Sequence, residues 1–357
     1  MPESCICKIY VLSLPKELSA AMSQVTIRDI ANELTLSVST ISRALNGDSQ
    51  VHAETRRKVV EAADRMGYRR NPLAVNLRRG YSGIVGVIVH DMLTPLTSRI
   101  LLGVQHVMHK QNINVIIANS NNDSETERRN LAMMEQSRVD GIIASITDWE
   151  TNGSLFSKLD SEGTPVVYCH HRPLDDTTAH VCTDDFSYAF QLVNHLLSSG
   201  RKRIAFLSGT PAVANFPDEA RAYMEALRGA GLEPDCSLMV PVDISAEGGV
   251  KAADTLLDND VEFDAVFSSS ELPAIGMMNR LRERGRSIPD DVAVAAMGGS
   301  PLSEIVYPPL TTAEPPLVEM GEEAARLLLE RIRERTPAKQ RCLAADIRLR
   351  RSSESSR

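Results

Sequence analysis

Aromatic residues are scarce, 4% of 357 residues with one tryptophan, Trp149, which argues against a surface built from stacked rings. Long apolar runs are missing too. No stretch approaches 18 apolar residues, so no membrane-spanning helix is expected. The six cysteines (Cys5, Cys7, Cys169, Cys182, Cys236 and Cys342) form no Cys-x-x-Cys pair. So few and so spread, they suit free thiols in a reducing cytoplasm better than a disulfide or zinc framework. The marks of an enzyme are absent as well: no Gly-x-Gly-x-x-Gly follows a strand pattern, and there is no Gly-x-Ser-x-Gly elbow, Walker loop or His-Glu-x-x-His. No catalytic residue, cofactor or metal site is therefore expected. His106 and His109 have helical spacing but no carboxylate at ligand spacing, and are read as facing solvent.

What is there is ordinary globular composition, 43% hydrophobic and 24% charged, long enough for two or three domains. A net charge of −8, taken whole, does not suggest a nucleic-acid binder. Its location does. Residues 22–80 hold ten Lys/Arg against six Asp/Glu and residues 1–21 are balanced, so the remainder carries −12. A small basic head on a large acidic body suggests two jobs. The apolar patch Ile9–Leu14 is cut by Pro15, Lys16 and Glu17, which does not suit a secretory signal. Residues 1–21 are read as an extension. Met22 is a candidate start, because the patterned sequence begins just after it.

In the head, Thr26 is a candidate N-cap with Asp29 three residues on. Ile27, Ile30, Ala31 and Leu34 then share a helical face. A second helix is expected over Ser37–Leu45, stopped by Asn46-Gly47, and a third over Ala53–Met66. Small polar residues on a short second helix permit close approach to a major groove. Arg43 brings a planar fork that suits guanine O6 and N7. A small helical bundle for protein contacts is the bland alternative.

The run TIRDIANELTLSVSTISRALNGDSQVHAETRRKVVEAADRMGYRRNPLAVNLRRG resembles the DNA-binding head of the lactose/galactose repressor (LacI) family, and the similarity continues to about Arg348. The resemblance implies a helix-turn-helix domain over residues 22–70 and a hinge helix over residues 71–80. It implies homodimers on a palindromic double-stranded operator. The DNA-contact set it implies is Thr26, Ser37, Val38, Ser39, Thr40, Ser42, Arg43, Asn46, Asn71, Leu77 and Arg78. Leu77 would wedge into the minor groove and kink the duplex, with Arg78 following into the groove or onto phosphates. Two departures stand out. Thr35 replaces the usual turn glycine, so either the turn differs or it stores about 1 kcal/mol of strain. Val75 stands where many relatives are basic.

From Tyr81 the texture becomes alternating strands and helices. Strands are expected over residues 84–89, 114–118, 141–145, 164–168, 203–207, 238–242, 265–268 and 293–296, with helices between them. That pattern means two doubly wound parallel-sheet lobes with a cleft at their strand carboxyl ends, as in periplasmic sugar-binding proteins. The fold class is thus an all-α head joined to an α/β body. Lobe 1 is expected over about residues 82–182 plus 313–341, lobe 2 over about 183–312 plus 342–351, and a tail over 352–357. The tail lacks a leucine heptad, so no coiled-coil tetramer is expected.

Effector-contact candidates are Asp91, Leu93, Thr94, Leu96, Asn121, His170, His171, Arg172, Phe216, Glu219, Arg221, Ser270, Glu271 and Gly298. Sugar-binding members of the resembled family carry an arginine where this chain has Glu219, Asn-Asp at Ser270-Glu271, Asp at Gly298, an aromatic at Ile244 and Phe-Phe at Leu96-Thr97. The site is expected to be present but re-specified. A phosphorylated or acidic sugar held by Arg172, His170 and His171 is the expected effector, and a neutral polyol the alternative. The rival classes are a solute-binding protein and an enzyme on the same two-lobe scaffold.

Overall fold

The computed structural model describes residues 25–45, 47–68, 81–170, 177–209, 216–334 and 336–354. The chain divides into two compact units at Arg79/Gly80. The hinge, residues 71–80, lies outside the described residues.

The first unit holds α1 (Ile27–Leu34), α2 (Val38–Leu45) and α3 (Ala53–Arg65). The Thr26 amide and hydroxyl both donate to Asp29 Oδ2 at 2.7 Å, and these bonds hold the carboxyl below its usual range. Ser37 caps α2, its Oγ accepting from the Thr40 amide at 3.1 Å. Ile30, Ile41 and Val59, one from each helix, are fully buried and make the centre of a small shared core. Thr35 closes α1 in the left-handed region, φ 53 and ψ 39, its amide reaching the carbonyls of Ala31 and Asn32. The turn is therefore of the glycine type, and Thr35 carries the strain of its β-branch there.

The second unit contains two six-stranded sheets. The first comprises β1 (Ile84–Val89), β2 (Asn114–Asn119), β3 (Ile142–Ala144), β4 (Val166–Cys169), β5 (His180–Thr183) and β11 (Gln340–Leu343), in the order β11-β5-β4-β3-β1-β2. The second comprises β6 (Ile204–Gly209), β7 (Met239–Val242), β8 (Ala265–Ser268), β9 (Ala293–Met297), β10 (Thr311–Glu314) and β12 (Asp346–Arg348), in the order β12-β10-β9-β8-β6-β7. All pairings are parallel except β10 with β12.

Between the strands of lobe 1 run α4 (Pro95–Lys110), α5 (Ser124–Gln136) and α6 (Trp149–Ser161). Lobe 2 has α7 (Asp185–Ser198), α8 (Phe216–Gly229), α9 (Ala246–Asp258), α10 (Glu271–Glu283) and the short α11 (Leu302–Ile305). The last helix, α12 (Leu317–Glu334), packs against α4. Each sheet is buried on both faces, as parallel sheets require. Val85, Val87 and Val89 of β1 enter one apolar cluster and Ile88 the other. In β6, Ile204 and Phe206 face one cluster, Ala205 and Leu207 the opposite one.

Several helices begin earlier than their apolar periodicity suggests, because caps lie upstream of it. Thr94 and Asp148 accept amides from Thr97 and Thr151, so α4 starts at Pro95 and α6 at Trp149. The lobe boundaries also move. Thr312 of β10 pairs with Arg348, so Ala313 and Glu314 belong to lobe 2. Cys342 pairs with Cys182 and Leu343 with Thr183, so β11 and the end of β5 belong to lobe 1.

Candidate functional site

The first candidate surface is the exposed face of α2. Ser37, Val38, Ser39 and Arg43 are exposed, and Thr40 and Ser42 half-buried. The Ser37 hydroxyl lies 2.7 Å from that of Ser39 and 2.8 Å from that of Thr40, a small hydroxyl cluster at the helix N-terminus. Four other basic groups of the head are paired within it. Arg56 donates to the Asp48 carbonyl at 2.6 Å, Arg65 pairs with Glu33, and Arg57 and Lys58 pair along α3 with Glu61 and Glu54. Arg43 takes part in none of these pairs. Thr26 is exposed at the start of α1. Asn46, Asn71, Leu77 and Arg78 lie outside the described residues.

The second candidate is a cavity of about 120 Å³ between the two lobes. It is comparable with a ~150 Å³ cavity that holds one six-membered ring. Its walls are the segments after the strand carboxyl ends, where open α/β sheets take ligands. Of the sequence candidates, Asp91, Thr94, Leu96, His170, Glu219, Ser270, Glu271 and Gly298 line it, as does Ile244. Three others do not. Leu93 is 88% exposed in the turn before α4. Asn121 is held away by the Asn119 amide donating to its Oδ1 at 2.6 Å, and the lining position falls to Asn122. Arg221 points outward, 4.5 Å over the Phe186 ring and 3.0 Å from Asp218. His171, Arg172 and the Phe216 side chain lie outside the described residues.

Ser269, Gly299 and Ser300, in the segments after β8 and β9, also line the cavity, as does Asp185, which the sequence did not place there. Asp185 was hidden because β5, HVCT, is too short to register as a strand; an N-capping Asp-Asp pair just after it was the available signal.

The described lining residues are rich in carboxyls and imidazoles. Burial holds His90 neutral, its pKa lowered to about 3, with the nearby His170 adding to the effect. Desolvation also lowers His170, opposed by Asp185. Asp185 is raised by desolvation, although Thr183 Oγ1 donates to it at 2.6 Å. Glu219 is buried and pushed well above the usual carboxyl range by desolvation, then by the charge of Asp185. Glu271 accepts the Ser300 amide at 2.9 Å. Among the described lining residues there is no Lys or Arg. Of the three residues expected to hold a phosphorylated or acidic sugar, His170 lines the cavity, and His171 and Arg172 lie outside the described residues.

His170 adopts φ 68, a strained conformation for a non-glycine residue at the end of β4. Gly298 and Gly299 have φ 122 and 153, and a Cβ on Gly299 would lie 2.4 Å from Glu314 Cγ. At both positions the backbone conformation itself favours glycine over any side chain.

Known proteins agree with this architecture. Residues 26–71 match the family described as bacterial regulatory proteins, lacI family, and residues 193–353 match the periplasmic binding protein-like domain. Catabolite control protein A of Priestia megaterium is 31% identical over 313 residues, covering 87% of this chain and 94% of that one. A solved transcriptional regulator CelR–cellobiose complex has a TM-score of 0.70 at 29% identity, covering 92% of this chain and all of that one. A lac repressor dimer bound to operator and the anti-inducer ONPF matches in fold, TM-score 0.84 at 20% identity, over 93% of this chain and 100% of that one. The head and the two-lobed body define a DNA-binding transcriptional regulator with a ligand-binding-type domain. The chain belongs to the LacI family.

Proposed function

We propose that this regulator is a cytoplasmic repressor that binds a palindromic operator as a homodimer and is controlled by a small hydroxyl-rich effector in the interlobe cleft. The observation that carries the reading is the pairing of two features in one chain: an exposed Arg43 on a short polar helix, and a carboxyl-lined cavity at the strand ends of two lobes. Ser39 and Arg43 are assigned to base edges, and Ser37, Thr40 and Ser42 to close approach. By the resemblance to the family hinge, Leu77 is assigned to the minor groove, Arg78 to the groove or the phosphates, and Asn71 to DNA contact. Support for the effector class comes from relatives: one solved regulator holds cellobiose and another, from Enterococcus faecium, holds ribose. The carboxyl-rich lining turns the choice from an anionic sugar toward a hydroxyl donor, since carboxyl oxygens accept O–H groups.

The ligand acts by linkage: it can shift operator affinity only by as much as its own affinity differs between the two lobe arrangements. The test is selection of bound duplexes from a random pool, followed by Arg43→Ala. A palindromic consensus whose preference relaxes at one symmetric base pair is expected, with a loss of about 1–3 kcal/mol. An unchanged consensus removes Arg43 from the reading set.

A further inference from the structure

The lobe 2 wall of the cleft has a chemistry that narrows the effector further. Glu219, on α8, is 5% exposed and its Oε2 has no hydrogen-bond partner. Ser269, at the end of β8, is 8% exposed and its Oγ likewise has none. Both line the cavity, from different elements. Native proteins rarely leave buried polar groups unmet, and a ligand is the natural partner where both border one open space. Glu271, beside them, already accepts the Ser300 amide. Asp185, at the start of α7, adds a further carboxyl within electrostatic reach of Glu219. Among the described lining residues no Lys or Arg answers these carboxyls. A neutral polyol would satisfy hydrogen bonds but bring no charge to favour an ionised carboxylate. An ammonium supplies both donors and charge, and in a desolvated cleft the charge counts for more than in water.

We infer that the effector carries a protonated amine seated against Glu219, with a hydroxyl meeting Ser269, so that amino sugars and related amino polyols are its chemical class. The inference rests on the cleft being the effector site, as proposed above. It has a proton balance. In the empty cleft burial pushes the Glu219 carboxyl well above its usual range, and the carboxyls of Asp185 and Asp218 add to the effect. Seating an ammonium favours the ionised carboxylate, and the displaced proton leaves to buffer. Asp91, His90 and His170 on the lobe 1 side, Asp185 on α7, Asp218 on α8 and Glu271 on α10 are the other titratable groups facing or flanking this point among the described residues.

The experiment is titration calorimetry on the full chain with matched pairs, D-glucose against D-glucosamine and D-galactose against D-galactosamine, with glucose 6-phosphate as the anionic control. Each is run in two buffers of different ionisation enthalpy. An amine member should bind about tenfold or more tightly than its neutral partner and release protons on binding. Glu219→Gln should bring the pair to within about twofold. Proton release by the wild type needs no variant and stands if the substitution fails to fold. Neutral sugars binding as tightly as amines, or the phosphate binding best, overturns the inference and leaves the cleft as effector site intact. No binding by any member, with no change in DNA affinity, overturns both.

Discussion

The Arg99 guanidinium, on α4 of lobe 1, donates to the carbonyl oxygen of Gly299 in lobe 2 at 2.8 Å. This bond spans the two lobes beside the cavity that Gly299 lines. It is charge-assisted and half-buried, so about 1.5–3 kcal/mol of the lobe arrangement rests on it. Arg99→Ala should change effector affinity by about tenfold, measured by calorimetry, while salt-dependent binding to random DNA stays as it was. Unaltered effector affinity would show that the lobes do not depend on this bond.

Thr35 sits at φ 53 in the turn between α1 and α2. Thr35→Gly removes the penalty of a β-branched residue in the left-handed region. Against the greater entropy of glycine when unfolded, the head should gain about 1 kcal/mol. Thermal unfolding of the head followed by circular dichroism would register it; a lower Tm would mean that Thr35 makes compensating contacts.

Gly298→Asp, which puts back the side chain that sugar-binding members carry, should cost about 1–3 kcal/mol. The backbone there has φ 122, and a Cβ would come 3.3 Å from that of Glu271. A second carboxyl would also face Glu271. A Tm equal to that of the wild type would show that the loop can rebuild around a side chain.

His90 sets a pH dependence. Its folded pKa of about 3 lies below the ordinary 6.5, so its stabilising contribution is complete above pH 6.5 and is lost as pH falls toward 3. Between pH 6.5 and 5 the loss is about 2 kcal/mol. His90→Gln should flatten the fall of Tm over that interval. Glu219 acts in the opposite sense. Its raised pKa favours folding below the ordinary carboxyl value, and that advantage disappears as pH rises through the raised one. Glu219→Gln should therefore raise Tm at neutral pH in the absence of ligand. A variant melting below the wild type at neutral pH would mean that the carboxylate is paired.

The head was legible almost residue by residue, because capping and periodicity are local. Thr26 with Asp29, and Ile30 with Ile41 and Val59, need only helical geometry to be placed. The long strands of the body were equally plain, since IVGVIV can be little else. What escaped were elements fixed by distant partners. HVCT becomes β5 only because β4 and β11 flank it, and β12 exists only as the antiparallel partner of β10. The site suffered from the same limit. Leu93, Asn121 and Arg221 share loops or helices with lining residues, yet a turn, a side-chain hydrogen bond and an aromatic ring direct them elsewhere. The gathering of Asp185, Glu219 and Glu271 among the described lining residues is a property of the assembled cleft, invisible along the chain.

The most direct measurement is the affinity of the full chain for its selected operator, by fluorescence anisotropy at fixed salt, with and without a small molecule shown by calorimetry to bind the cleft. The operator affinity should change by about tenfold or more, and the operator should change the ligand's affinity by the same factor. A ligand that saturates the cleft and leaves operator affinity unchanged would contradict control of DNA binding through the cleft.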